Sequence, residues 1–135
     1  MASRGAAGPD RRRSLGAAGE ATAARWYAEA GYAVVDRNWR SPSPSGRDPE
    51  RVGGEIDLVV TKDRVVVFSE VKSRRTDRYG EPFEAVTAAK QRRIRALAAM
   101  WLRERAPALG LRPGEIRFDV VSILDGRVAV LEGAF

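Results

Sequence analysis

The chain has 135 residues with no histidine and no cysteine, and 24 lysines and arginines stand against 18 aspartates and glutamates. These counts exclude Ser-His and Cys-His nucleophiles, zinc-thiolate sites, an imidazole base and a disulfide-stapled mini-protein; carboxylates holding a hard cation, assisted by lysine, remain the main catalytic option. A net charge of +6 and a pI of about 10.4 favour a polyanionic partner, nucleic acid before an acidic membrane surface, although basic surfaces also serve solubility.

The length is that of one domain, able to bury roughly two thirds of its unfolded surface. No apolar run approaches the roughly 20 residues of a membrane span, and residues 1–13 lack the apolar core of a signal peptide. A cytoplasmic protein with no membrane partner is the expectation.

Residues 1–13, rich in Gly and Ala and carrying Arg4, Arg11, Arg12 and Arg13, read as a flexible basic tail ahead of a single domain at 14–135. Ser14 is a suitable N-cap for a helix running to about Ala30, stopped by Gly31. On it Glu20 shares a face with Ala23, Ala24 and Tyr27, an unusual position for a carboxylate. Tyr32 to Arg40 predicts a strand, and Ser41 to Gly53, with Pro42, Pro44, Gly46 and Pro49, predicts a flexible loop. Glu55 to Thr61 and Val65 to Ser73 predict two strands joined through Lys62-Asp63-Arg64 as a central antiparallel hairpin. A loop at Asp77, Gly80 and Pro82 precedes a helix from Val86 to about Glu104, marked by Ile94, Leu97, Ala98, Trp101 and Leu102 at helical spacing. Ile116 to Leu124 and Arg127 to Leu131 then predict strands joined by Asp125-Gly126, giving the order αβββαββ.

Strand alternation puts Glu70 with Lys72, and Glu55 with Asp57; an even hairpin loop brings Asp57 and Glu70 to one face as well. Three carboxylates and an ammonium then gather beside Val59, Val66 and Phe68, while Ile56, Leu58, Val60, Val65, Val67 and Val71 form the opposite face. A lone E-x-K is most often a cross-strand ion pair on a solvated face. Here the flanking apolar runs indicate burial on both faces, and the acids outnumber the lysine, leaving a negative excess that a divalent cation can neutralise.

Gly19-Glu20, Arg37-Asn38-Trp39-Arg40, Gly54-Glu55-Ile56-Asp57-Leu58, Phe68-Ser69-Glu70-Val71-Lys72-Ser73-Arg74, Ala85-Val86-Thr87, Lys90-Gln91-Arg92-Arg93, Arg117-Phe118-Asp119-Val120-Val121 and Ala134-Phe135 follow one another in a specific order and spacing. In these stretches the chain resembles the YraN-like family of predicted endonucleases, within the restriction-endonuclease-like PD-(D/E)xK superfamily that also holds archaeal Holliday junction resolvases. The resemblance implies an α/β fold with an αβββαβ core, its central mixed sheet flanked by helices. It also aligns Asp57 with the metal-binding aspartate, Glu70 with the D/E position, Lys72 with the lysine and Glu20 with the first-helix acid of the resolvase-like branch. On that basis Asp57, Glu70 and the Val71 carbonyl are expected to hold Mg²⁺ or Mn²⁺, with Glu20 as an outer or second-metal ligand. Lys72 is expected to orient or deprotonate a water molecule. Glu55 is the weaker candidate, with a neighbouring arginine or solvent as its alternative partner. One departure is the stretch Ser41 to Gly53, which separates Asn38-Trp39-Arg40 from Gly54-Glu55-Ile56-Asp57 where the family passes almost directly between them.

Lys90, Gln91, Arg92 and Arg93, at the start of the second helix, are candidates for phosphate contact, weighed against a merely solvated basic face. The expected function is a metal-dependent endonuclease acting on DNA and selective for structure, such as branches or flaps. The alternative is a non-catalytic nucleic-acid-binding or assembly module that keeps the fold. A homodimer is expected by analogy with the resolvases only.

Overall fold

The structure, a computed structural model, describes residues 9–41, 53–74 and 86–135, with side chains described from residue 17 onward. The expected tail, apart from residues 9–13, and nearly all of the expected 41–53 loop lie outside the described residues.

Among the described residues, seven elements follow in the order αβββαββ: α1 (Pro9–Glu29), β1 (Ala33–Arg40), β2 (Glu55–Lys62), β3 (Val65–Arg74), α2 (Ala88–Ala108), β4 (Glu115–Leu124) and β5 (Arg127–Leu131). The five strands form one mixed sheet in the order β1-β2-β3-β4-β5, antiparallel throughout except for the parallel pair β3 and β4. A parallel pair cannot be closed by a tight turn, and the segment that carries α2 makes the crossover. The result is an α/β fold with an apolar core on each face of the sheet.

Each face is written in the strand alternation. On one, Leu58, Val60, Val67, Val121 and Ile123 pack with Ala23, Ala24 and Tyr27 of α1. On the other, Val59, Val66, Phe68 and Phe118 pack with Ile94, Leu97, Ala98 and Trp101 of α2. Ile56 is a correction to the strict alternation: it joins Val59 and Phe68 on the α2 side, not Leu58 and Val60. The paired register between β2 and β3 ends at Leu58 with Ser69, and a strand released from one neighbour is free to twist.

The helix bounds also move. Proline suits the first turn of a helix, where its missing N–H has no partner to lose, and α1 starts at Pro9 instead of Ser14. At α2 the N-cap is Thr87, whose side chain accepts from Lys90 N. The helix continues past Glu104 through Pro107, and Ala106 is buried in the α2-side core. Asp36 of β1 fixes its far end, accepting from Trp101 Nε1 at 2.6 Å and from Arg105 Nε at 3.0 Å. At the other hairpin, Asp125 and Gly126 both have positive φ, the geometry a two-residue turn with the twist of the strands requires.

Beneath α1 lies a buried polar network. Asp119, fully buried on β4, accepts from Tyr27 Oη at 2.8 Å, from Arg117 Nε and Nη2 at 2.8 and 2.9 Å, and from Gly133 N at 3.1 Å. The Tyr27 hydroxyl also shares a 3.0 Å hydrogen bond with Ser69 Oγ. Burial first, and then the charge of Asp119, raises the pKa of Tyr27 above the ordinary phenol value, keeping it a neutral donor.

Gly19 lets α1 approach β3 closely. A Cβ there overlaps Ser73 Oγ and lies 3.1 Å from Ser73 Cβ, and Ser73 Oγ is buried without a hydrogen-bond partner among the described residues. Gly19→Ala is therefore expected to lower stability by about 1–3 kcal/mol despite alanine's better helix propensity. Ser73→Ala removes an unpartnered hydroxyl and should be near neutral alone, and it should recover part of the loss in the double variant. Thermal denaturation of the three variants checks this, and additive losses in the double variant refute the contact.

Candidate functional site

Where β2 leaves β3, the opened ladder is filled by a side chain. Asp57 Oδ2 accepts from Val71 N at 2.8 Å, taking the place of a backbone partner. The N–H and C=O of one strand residue face the same neighbour, so the Val71 carbonyl faces this gap too. Glu20 of α1, Glu55 and Asp57 bring carboxylate oxygens within 4.8 Å of one another, all three partly buried. Three hard oxygen donors at that spacing suit Mg²⁺, Mn²⁺ or Ca²⁺ and no soft metal.

The electrostatics of this group are strained. Burial, followed by the charge of Glu70 and then those of Glu20 and Glu55, pushes the Asp57 carboxyl up to about 7; the Val71 N–H pulls the other way. Glu20 is likewise raised, first by burial, with Glu55 and Glu70 adding to it; a hydrogen bond from Asn38 and the charge of Arg37 oppose the rise. Four acids from α1, β2 and β3 thus act on one another, and a divalent cation would offset that repulsion. The donor set fits such an ion.

The cations around the acids come from β1 and α2. Arg40 Nε lies 3.0 Å from Glu55 Oε2 across the β1/β2 pair. Lys90 Nζ lies 2.7 Å from Glu70 Oε1. Arg93 comes down beside Gly54, whose φ is +88° and where an added Cβ sits 3.1 Å from Arg93 Nε. Lys72, partly buried, follows Glu70 by two residues on β3 and therefore shares its face.

The compact acid group differs in membership from the ligand set that the family resemblance implies. Glu55 belongs to it beside Glu20 and Asp57, and it also has the arginine partner foreseen as its alternative. Glu70 acts on the group through its charge while its own oxygen meets Lys90. Of the four α2 candidates, Lys90 is thus directed at the acids, and Gln91 Nε2 donates to Val86 O at the helix start. Arg92 and Arg93 are exposed. Sequence reasoning missed Asn38 as the partner of Glu20; its one signal is an asparagine in a strand, a residue that tolerates the positive φ of 49° seen here.

A family model described as uncharacterised protein family UPF0102 matches residues 19–123. The chain belongs to that family. It is the YraN-like family of the sequence resemblance. The UPF0102 protein of Rhodococcus jostii is 49% identical over 113 residues, 84% of each chain. That of Symbiobacterium thermophilum is 43% identical over 128 residues, covering 91% of this chain and 97% of the relative. That of Nocardia farcinica is 42% identical over 113 residues, 84% of this chain and 78% of the relative. The matched span starts at Gly19 and contains every acid and cation of the site described above. Among the described residues, no helix is long and apolar enough to cross a membrane.

Proposed function

We propose that this UPF0102 protein is a divalent-cation-dependent endonuclease of the PD-(D/E)xK type that hydrolyses phosphodiesters of DNA, with a preference for branched or flapped structures. The observation that carries the reading is the convergence of Glu20, Glu55 and Asp57, with Glu70 acting on them, at the point where β2 leaves β3. A chain without histidine or cysteine has few other ways to activate water.

Asp57, Glu20 and Glu55, with Glu70 and the Val71 carbonyl, would hold Mg²⁺ or Mn²⁺. When bound, such an ion supplies Lewis-acid screening of the phosphate charge and lowers the pKa of water. Lys72, on the Glu70 face, orients the attacking water and stabilises charge developing on the phosphate. The Val71 N–H holds the Asp57 carboxylate in one orientation. Arg92 and Arg93, exposed on the first turns of α2, contribute backbone-phosphate contacts that carry no base information. Selectivity then comes from the shape of the DNA.

A second reading has its own support. The pairs Glu70 with Lys90 and Glu55 with Arg40 neutralise part of the cluster without any metal, as a non-catalytic nucleic-acid-binding module would require.

Incubating purified protein with duplex, flap and four-way DNA in Mn²⁺ decides between them. Wild type is expected to cut at least one substrate, and Lys72→Ala to lose cleavage by a factor of about 100 or more with binding retained. Arg92→Ala with Arg93→Ala should weaken binding and flatten its salt dependence by roughly two phosphate contacts. Wild type that binds DNA but neither binds metal nor cuts favours the non-catalytic module. Full Mn²⁺-dependent cleavage by Lys72→Ala refutes the role given to that lysine.

A further inference from the structure

Glu55 and Glu70 each hold a side-chain cation, and the two pairs differ. Arg40, with its side chain 75% exposed, makes a surface pair with Glu55, a type worth at most about 1 kcal/mol. Lys90 meets a Glu70 side chain that is only 14% exposed. That carboxylate raises the pKa of both Asp57 and Glu20, so the ammonium sits inside the electrostatic reach of the acid group.

Lys90 also stands in the first turn of α2, which contains no acid. A cation is unfavourable near the positive end of a helix, and an anion facing that end offsets the cost. Glu70 is the anion that the Lys90 ammonium meets in this structure. The backbone of Lys90 is tied down by its 3.1 Å bond to Thr87 Oγ1, while the four-carbon side chain can swing. A divalent ion entering beside Glu70 repels the ammonium, and a nucleic-acid phosphate near the helix start attracts it.

Resting on the metal-dependent reading above, we propose that Lys90 is an exchangeable counter-ion: it neutralises Glu70 in the ion-free protein and passes to a phosphate of the nucleic acid when a divalent cation enters, so that metal and nucleic acid promote each other's binding. Linkage makes the effect reciprocal.

Calorimetry with Ca²⁺ on the full chain tests the first half. Lys90→Gln should tighten Ca²⁺ binding in the absence of DNA by roughly 5- to 30-fold, the scale of an ordinary coupling between sites. Lys90→Arg, which keeps the charge, should stay close to wild type. Arg103→Gln removes the same charge from an exposed position on α2, about 20 Å away along the axis, and should change affinity less than twofold. The second half is read from the salt dependence of binding to a flapped DNA duplex. With Ca²⁺ the slope for Lys90→Gln should fall by about one phosphate contact, and with EDTA it should match wild type.

Equal tightening by Lys90→Gln and Arg103→Gln, no tightening by Lys90→Gln, or the same loss of slope in EDTA overturns the exchange. If wild type takes up Ca²⁺ and the Lys90 variants do not differ from it, the exchange alone fails. If wild type takes up no Ca²⁺, Mg²⁺ or Mn²⁺, the metal-dependent reading fails and the exchange with it.

Discussion

Asp119→Ala is expected to be the most damaging single substitution in the described structure, lowering stability by about 3–5 kcal/mol. The carboxylate is fully buried and accepts four hydrogen bonds, from Tyr27, twice from Arg117, and from Gly133 N. Removing it leaves the Arg117 guanidinium, whose side chain is 21% exposed, with Tyr32 Oη at 3.1 Å and the exposed Glu132 at 3.7 Å, and leaves the hydroxyl of the fully buried Tyr27 with Ser69 Oγ alone. Breaking one side of a buried pair leaves the other charge with weaker compensation, here from the longer, exposed Glu132 pair, and that costs more than losing the pair whole. For a domain whose total stability is on the order of 5–15 kcal/mol, the melting temperature should drop by roughly 10 °C or more. Asp119→Asn keeps an acceptor for Tyr27 and should fall between wild type and alanine. Tyr27→Phe, which loses one hydroxyl, should cost only about 1–2 kcal/mol. Chemical denaturation of the three variants gives the ranking, and a loss under about 1 kcal/mol for Asp119→Ala would sink the account of this network.

The second large effect is a gain. Asp57→Asn should make the metal-free protein more stable than wild type above pH 7. The folded Asp57 carboxyl titrates at about 7, against 3.8 ordinarily, because burial and the charges of Glu70, Glu20 and Glu55 oppose ionisation. The native state therefore holds a proton that the unfolded chain has released over this interval. The stability contributed by this group is complete below pH 4 and is lost as pH rises to about 7. Three pH units correspond to an effect on the order of 2–4 kcal/mol. An asparagine oxygen can still accept from Val71 N, so the variant keeps the hydrogen bond and sheds the charge. In EDTA the stability difference between variant and wild type should grow from pH 4 to pH 7 and level off beyond it. Mg²⁺ should raise the wild-type melting temperature at pH 8 and leave Asp57→Asn nearly unmoved. A difference that does not change with pH removes the basis for a strained acid cluster.

Much of this architecture is legible locally. The alternating runs around Asp63-Arg64 give β2 and β3, and they separate Leu58, Val60 and Val67 from Val59, Val66 and Phe68. The spacing of Ile94, Leu97, Ala98 and Trp101 gives the buried stripe of α2. Asp125-Gly126 gives the last turn. In each case a period of 2 or 3.6, or a residue that accepts positive φ, writes the answer within a few neighbours.

Ile56 is where that local code stops. Its face follows the end of the β2/β3 pairing at Leu58, beyond which the Asp57 carboxylate takes the Val71 N–H. The extent of α2 depends on Ala106 reaching the α2-side core and on Asp36 anchoring Trp101 and Arg105.

By itself the sequence determined the order of elements and the two apolar faces, and its lack of histidine and cysteine narrowed the candidate site residues to carboxylates and lysine, because composition and short-range periodicity act through the covalent chain. Only the tertiary structure decided that Asn38 reaches Glu20, that Glu20 meets Glu55 and Asp57, and that the Lys90 ammonium meets Glu70. These partners lie on different elements, and no periodicity records which side chains meet when a helix docks on a sheet. Burial at that junction then sets the titration of Asp57, since the cost of ionising a carboxyl depends on the solvent and charges around it and not on its neighbours in sequence.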